Sequence, residues 1–392
     1  MISACDAPNT EKFTELRAPN GPLTSCDSLL SPRTAAATTE SVALVVVPDM
    51  EPLCDAELVS VLELVPPDDG TGILPQMSSA SRRSDGVYVT ALIGENALAV
   101  WDTTGRFVRR IGRSGAGPGE FGSGIQPLFG ADDTLFTIDN TRQLNVFDNN
   151  FKYVRRSLQL AAHVSPGYWF VTKDGRRFVS PPPAGVRSHH VAELDANGEV
   201  RRLLVPANPK TTGLGQWDAE RALAYGEGDS FWIGPTQVPA QTYEMEQWSL
   251  DGRLLRRVRR DAEWFVPYAV NDEPDPSAEP FTYFAIFQVD SSGFLHTVLG
   301  SRERRKPLPP NTRMTRELRK QGSTARYEII DPATGSLVAS KRFFDVDSLP
   351  SPFIPRTNTA IILVSDTTYD YKAHIVRWKL SPRVTARPPA AR

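Results

Sequence analysis

The 392-residue sequence has no run of 18 or more apolar residues, so it offers no segment long enough to cross a bilayer as a helix. It also lacks the repeated amphipathic helices expected of a doubly wound α/β protein. The formal net charge is −2, so the chain lacks the excess of basic residues that is typical of a dedicated nucleic-acid-binding protein. What remains is an ordinary globular composition with 27 Gly and 33 Pro, which favours many turns and an all-β fold.

Cysteine is also scarce, with three residues in the chain. Residues 2–5 read Ile-Ser-Ala-Cys and resemble a bacterial lipobox, which makes Cys5 a candidate for acylation if the true start lies upstream. Acylation of Cys5 would leave Cys26 and Cys54 as an even pair that could form a disulfide in an oxidising compartment. We therefore expect a periplasmic, outer-membrane-anchored or secreted protein that touches a membrane only through this anchor. If the lipobox match is fortuitous, a cytoplasmic location follows.

Composition divides the chain into one domain and two tails. Residues 1–40 are rich in Thr, Ser, Pro and Ala without a sustained period, which is typical of a flexible tether. Residues 381–392 have the same character. Residues 41–380 are expected to form a single domain, and the sequence predicts a monomer.

That domain repeats a strand pair joined by a turn that begins with Asp. Copies of this turn start at Asp102, Asp148, Asp195, Asp251 and Asp331. Asp hydrogen-bonds forward along its own backbone, and the Gly at the turn exit supplies the positive φ that such a hairpin needs. Phe151 stands at the Gly position of the second copy, so that turn is expected to differ from the others.

A second strand pair precedes each copy, so one unit holds four strands and recurs at about 46 residues early in the chain. Six units can be counted, and the last one ends before a fourth strand. Residues 58–65 form a spare apolar strand that could complete it and remove the exposed edges of an open array. The sequence therefore predicts a six-bladed β-propeller of four-stranded antiparallel blades, closed by an N-terminal strand.

Residues 105–121 read GRFVRRIGRSGAGPGEF and resemble the signature of the NHL-repeat family. The motif residues are Gly112, Gly117, Pro118, Gly119, Glu120 and Phe121. The segment is also similar to six-bladed propellers of bacterial envelopes that have no assigned activity. A phosphate loop is disfavoured because this Gly-rich segment contains no Lys followed by Ser or Thr. We expect Glu120 to accept backbone hydrogen bonds and Phe121 to fill the space between blades.

Basic residues cluster in two patterns. Arg pairs close four of the fourth strands, at 109–110, 155–156, 201–202 and 256–257. Because neighbours on a strand face opposite sides, we expect these Arg residues to keep the rim charged and resist edge pairing. Residues 302–320 hold eight Lys or Arg against two Glu, and Arg304 and Arg305 are candidates for contacting an acidic partner or phospholipid head groups; the alternative is a solvated loop between two strands of blade 5. Without interleaved aromatic residues, this segment does not favour RNA binding.

Aromatic residues in the irregular stretches are the other candidates for ligand contact: Trp217, Trp264, Phe265 and Tyr268. Propellers place function in loops over a rigid ring, so these positions favour a loop face. We therefore predict a non-catalytic binding or scaffold protein that recognises a protein, peptide or glycan and needs no cofactor.

The alternative is a metal-dependent hydrolase or lyase with its site in the central channel. The resemblance implies it, since six-bladed relatives include lactonases and a peptide-amide lyase that use calcium or zinc. Asp139, Asp290 and Asp366 could line the channel, although Asp at a strand end is commonly a turn residue. His189 and His190 are adjacent in the chain, so in a strand they would face opposite ways and not share a metal.

Overall fold

The computed structural model describes most of the chain. The described residues are 14–15, 26, 42–67, 77–92, 94–130, 132–141, 143–159, 169–180, 182, 186, 188–207, 221–226, 229–234, 242–267, 281–302, 323–343, 354–355, 357–365 and 371–383. Their regular structure is entirely β-strand. Within these ranges no helix has the length and apolar character that a membrane crossing requires.

The strands form six sheets that follow one another along the chain. Three strands precede the first complete blade: β1 (Thr14–Glu15), β2 (Ala43–Val47) and β3 (Cys54–Leu64). Blade 1 consists of β4 (Met77–Arg82), β5 (Tyr88–Leu92), β6 (Ala97–Trp101) and β7 (Phe107–Ile111). Blade 2 consists of β8 (Gln126–Phe129), β9 (Leu135–Ile138), β10 (Gln143–Phe147) and β11 (Tyr153–Gln159). Blade 3 consists of β12 (Trp169–Val171), β13 (Arg177–Val179), β14 (His189–Leu194) and β15 (Val200–Pro206).

Early strands extend blade 4 and complete blade 6, whereas blade 5 consists of its own four strands. Blade 4 consists of β16 (Leu223–Tyr225), β17 (Ser230–Ile233), β18 (Glu244–Ser249) and β19 (Leu254–Arg260). Blade 5 consists of β20 (Phe281–Val289), β21 (Leu295–Arg302), β22 (Ser323–Asp331) and β23 (Ser336–Phe343). Blade 6 contains β24 (Thr359–Ser365), β25 (Tyr371–Pro382) and the early strand β3.

Apolar side chains pack between the blades rather than inside any one of them. The first strands of adjacent blades contact one another in the order β4, β8, β12, β16 and β20, which places them around the central axis. The core divides into six clusters, one at each junction between neighbouring blades. Strands such as β5 and β6 are buried at every residue because both of their faces meet another blade. Six junctions for six blades make a closed ring.

The amino-terminal strand β3 closes this ring, as the sequence predicts. It pairs antiparallel with β25, placing Leu58 opposite Trp378. The turn before β24, with Ile354 N bonded to Thr359 O, resembles the first-to-second-strand turns of the other blades. By that match β24, β25 and β3 occupy the second, third and fourth positions of blade 6. The end of β3 then bonds to blade 1, where Val65 N donates to Gly105 O at 2.8 Å.

The segment that leads to β3 runs along three blades. Strand β2 pairs in parallel with β19 at the outer edge of blade 4, and β1 pairs in parallel with β2. The chain then passes blade 5, where Leu53 N donates to Leu337 O at 3.0 Å, and enters blade 6. A disulfide joins Cys26 to Cys54 at the start of β3. The sequence predicts a strand at residues 42–47, but its attachment to blade 4 comes from the structure.

The two ends of the ring differ because strands alternate in direction within each blade. In blades 1 to 5, the turns from first to second and from third to fourth strand lie at one end, here called the turn end, and none exceeds five residues. The opposite end, here called the loop-bearing end, receives every longer connection of these blades. These connections are residues 112–125, 160–168, 180–188, 207–222, 234–243, 261–280 and 303–322.

The turn end is rigid because its Asx turns are saturated with internal hydrogen bonds. Asp102 Oδ1, for example, accepts from the backbone N–H groups of Thr104 and Arg106.

The turn at Phe151 differs from the other turns in residue type but not in backbone geometry. Phe151 adopts a φ of 61° and donates its N–H to Asp148 O, as the Gly residues do elsewhere. The expectation of a different turn is therefore wrong.

Candidate functional site

The Gly-rich connection between blades 1 and 2 is a compact crossing at the loop-bearing end. Glu120 Oε2 accepts from Gly117 N at 2.7 Å, and Glu120 Oε1 accepts from Arg113 Nε at 2.8 Å. The Gly117 N–H and then the Arg113 guanidinium hold the pKa of Glu120 below its ordinary value. Phe121 is fully buried against the ring of Phe147. Every donor and acceptor named here serves the crossing itself, so the motif has a structural role.

The Arg pairs lie at the junctions between blades. Arg109 reaches the carbonyl of Asn150 in blade 2, and Arg202 donates to Leu250 O in blade 4 at 2.6 Å. Arg256 donates to Pro332 O in blade 5 at 2.7 Å. The expectation of a rim that is merely charged is therefore incomplete, because one Arg of each of these pairs bonds to the next blade.

A buried carboxylate strengthens the junction between blades 3 and 4. Glu193 accepts from Arg176 Nε at 2.8 Å and from Arg202 Nη2 at 2.8 Å. Burial alone raises the pKa of Glu193, but the two guanidinium groups outweigh burial and leave the pKa below its usual range. All three side chains are occupied by this network.

A second buried polar network joins blades 4 and 5 near the loop-bearing end. Tyr243 Oη lies 2.6 Å from Thr297 Oγ1 and donates to Glu328 Oε2 at 3.0 Å. Arg260 Nε also donates to Glu328 Oε2, at 3.3 Å, and Arg260 Nη2 lies 3.3 Å from Asp49 Oδ1. Burial raises the pKa of Tyr243 well above its ordinary value, so the phenol remains a donor.

Aromatic side chains cover this network on the connection after β19. Trp264 packs edge-on against Tyr243 with ring centroids 6.1 Å apart, and Phe265 lies 5.6 Å from the same ring. The Arg326 guanidinium, from β22, stacks over Trp264 with its Cζ 4.6 Å from the ring centroid. Val266, the next residue, is 36% exposed. This group of an Arg, two partly buried aromatic residues and an exposed Val is the candidate site.

Two of the six binding residues predicted from sequence, Trp264 and Phe265, therefore lie together. The other four fall outside the described residues: Trp217, Tyr268, Arg304 and Arg305. Cys5, the lipidation candidate, also falls outside them. Arg326 carries no signal in the sequence, because its β22 position between Ala325 and Tyr327 is typical of an ordinary strand. Only its stacking on a residue 62 positions earlier in the chain reveals it.

The acidic residues considered for a channel metal serve turns where they are described. Asp139 accepts from Gly122 N and Thr141 N, and Asp290 accepts from Ser292 N and Phe294 N. Asp366 lies outside the described residues. In the part of the chain that the structure describes, no three His, Cys, Asp or Glu side chains are arranged to hold a metal ion. His189 and His190 differ in burial, consistent with their facing opposite sides of β14.

Comparison with known proteins adds evidence about the fold. The sequence matches no family model, and no curated protein matches it. A member of the DUF4221 family from Bacteroides vulgatus is similar in structure, with a TM-score of 0.57, 14% identity, and coverage of 84% of this chain and 99% of that one. A Bacteroides fragilis protein described as exported has a TM-score of 0.57, 11% identity, and coverage of 86% and 99%. Both support the six-bladed propeller, and at these identities they show the fold alone.

Proposed function

We propose that this chain is a non-catalytic binding propeller that recognises a protein, peptide or glycan at its loop-bearing end. The observation that carries the proposal is the difference between the two ends. At the turn end, short turns consume their own hydrogen-bonding groups. At the other end, the longer connections leave and enter the strands of a closed ring, and scaffolds of this kind place recognition residues in such connections.

The group around Trp264 is the best-defined part of that end. It combines a cation with half-buried aromatic surface, which are residue types enriched at protein interfaces, and an exposed aliphatic side chain lies beside them. A catalytic alternative in the central channel has no comparable support in the described residues. The proposal therefore rests on binding.

We place this binding function outside the cytoplasm. A disulfide between Cys26 and Cys54 persists in an oxidising compartment. A Bacteroides protein of the same fold is described as exported, which agrees with this location. Acylation at Cys5 would supply the anchor. Metabolic labelling with a fatty acid tests the anchor: the native chain should incorporate label and Cys5→Ser should not, whereas equal incorporation would exclude it.

Two exposed valines give a matched test of the binding end. Val266 lies at the loop-bearing end with 36% exposure, and Val200 lies on the outer strand β15 with 38% exposure. Ligands should be selected from displayed random peptides and from a glycan array with the native protein. We expect Val266→Asp to weaken the selected ligands at least about tenfold and Val200→Asp to leave them unchanged. Ligands that respond to Val200→Asp alone would contradict the proposal, as would the absence of any ligand at micromolar protein concentration.

A further inference from the structure

Arg326 is a half-buried cation whose charge is felt by the carboxylates of Glu328 and Asp49. Within the described residues it forms no ion pair and donates no hydrogen bond, and its contact is the stacking on Trp264. The nearest buried carboxylate, Glu328, is already engaged by Arg260 and Tyr243. Burial lowers the pKa of Arg326, which means that its guanidinium has lost part of its hydration.

The Arg326 Cζ lies over the Trp264 ring, and none of the guanidinium N–H groups donates to a described residue. A guanidinium carries five N–H donors in its plane, and stacking on an aromatic ring occupies only its face. The in-plane donors match the two oxygens of a carboxylate. A partly desolvated guanidinium also binds an anion more strongly than a fully hydrated one at the surface. The Trp264 indole nitrogen is a second buried donor without a partner in the same group.

The charged groups that act on Arg326 are Arg342, Arg260, Glu328 and Asp49, so with Arg326 they form a group of three cations and two carboxylates. Arg342 lies opposite Arg326 in the β22–β23 register, and Asp49 is already paired with Arg260. The sequence between β21 and β22 adds eight Lys or Arg against two Glu in residues 302–320. Arg260 already bonds to both carboxylates, so an acidic ligand would bring an anion to a group in which cations outnumber carboxylates.

We propose that Arg326, held on Trp264, binds a carboxylate side chain of an acidic peptide segment in the partner. This inference rests on the proposed function and names its ligand chemistry. Stacking by Arg326 covers one face of the Trp264 ring, which disfavours the sugar-stacking mode of a glycan. The exposed Val266 beside it offers apolar contact to the neighbouring residues of a peptide.

Fluorescently labelled hexaglutamate and hexaglutamine are suitable probes, measured by anisotropy at low ionic strength. The native protein should bind hexaglutamate and not hexaglutamine. Arg326→Gln should weaken hexaglutamate binding at least about tenfold, which corresponds to a difference of about 1.4 kcal/mol. Arg377→Gln is the matched control, because Arg377 is an exposed Arg on the third strand of blade 6. Equal effects of the two variants, or equal binding of the two peptides, would overturn the inference.

Further arms separate the possible reasons for failure. Arg326→Lys keeps the positive charge but loses the planar pair of N–H donors, so it should recover only part of the affinity for hexaglutamate. An oligoglucuronate that binds more tightly than hexaglutamate, in an Arg326-dependent way, would assign the carboxylate to a glycan and reject the peptide. Selected ligands that depend on Val266 but tolerate Arg326→Gln would leave the proposed function standing and remove this inference. Ligands that depend on neither residue would remove both.

Discussion

Arg202 donates a hydrogen bond of 2.6 Å to the carbonyl oxygen of Leu250, which belongs to the next blade. The same guanidinium also holds Glu193, so one side chain joins a buried acid to a turn across a junction. Arg109 and Arg256 make corresponding bonds from their own blades. Polar bonds between blades thus supplement the six apolar clusters, and all three of these bonds reach turns at the turn end.

Arg202→Gln should therefore destabilise the protein by about 2 kcal/mol, since it removes charge-assisted hydrogen bonds at a partly buried site. Arg201→Gln is the neighbouring control, because the Arg201 side chain is 67% exposed and lies 3.5 Å from Glu193. Its effect should stay below about 0.5 kcal/mol. Urea unfolding measures both, and similar losses would refute a specific role for Arg202.

Ring closure can be tested with two glycines of equal backbone strain. Gly105 and Gly175 both have a φ of 82°. A Cβ at Gly105 would overlap the carbonyl oxygen of Glu63 in β3, while a Cβ at Gly175 meets nothing within 4 Å. Alanine at either position should cost about 1–2 kcal/mol from the left-handed conformation, and Gly105→Ala should cost at least about 1 kcal/mol more. Equal shifts in the urea midpoint would mean that β3 does not abut blade 1.

The disulfide fixes a point in the tail to the start of the closing strand. Cys26 and Cys54 are separated by 28 residues, so cross-linking them lowers the entropy of the unfolded chain and should stabilise the fold by about 3.6 kcal/mol. Cys54→Ser should lower the unfolding free energy by about that amount, and a reducing agent should then have no further effect. Cys5→Ser should retain native stability and native sensitivity to reduction. Stability unchanged in Cys54→Ser would contradict the pairing.

Acid stability should depend on Asp290. Burial alone raises the pKa of Asp290, but the hydrogen bond and charge of His296 and the N–H groups of Phe294 and Ser292 hold it below the ordinary value. Because the pKa of Asp290 is lower in the folded protein, the ionised carboxylate stabilises the fold at pH values above about 3.9, the ordinary pKa of Asp. This stabilisation is lost as the pH falls through the folded pKa. The native unfolding free energy should thus fall more steeply between about pH 4 and pH 2 than that of Asp290→Asn. Chemical denaturation measures both free energies, and an equally steep fall with acid in the native protein and in Asp290→Asn would disprove the contribution.

The repeat made the fold predictable from sequence. Each Asp-to-Gly turn marks a hairpin corner through local backbone chemistry, so the corners at Asp102 and Asp195 could be located without tertiary information. The spare strand at residues 58–65 followed from counting strands. The positive φ of Phe151 could not be predicted, because the contacts of its ring come from residues distant in sequence, including the Arg83 guanidinium, whose Cζ lies 5.0 Å from the Phe151 ring centroid.

The candidate site was only partly predictable. Trp264 and Phe265 stood out as aromatic residues in an irregular stretch, which is a local signal. Arg326 has no local signal, since its role depends on a crossing between blades 4 and 5. The parallel pairing of β2 with β19 also cannot be predicted from the sequence, because an apolar strand does not specify its partner.

Hydrogen–deuterium exchange with a selected ligand bound tests binding at the loop-bearing end most directly. The account predicts slower exchange in peptides that contain Trp264 or Arg326 and in those from residues 303–322. Peptides that contain the turns at Asp102, Asp195 and Asp251 should be unaffected. Protection confined to those turns, with unchanged exchange around Trp264, would contradict the account.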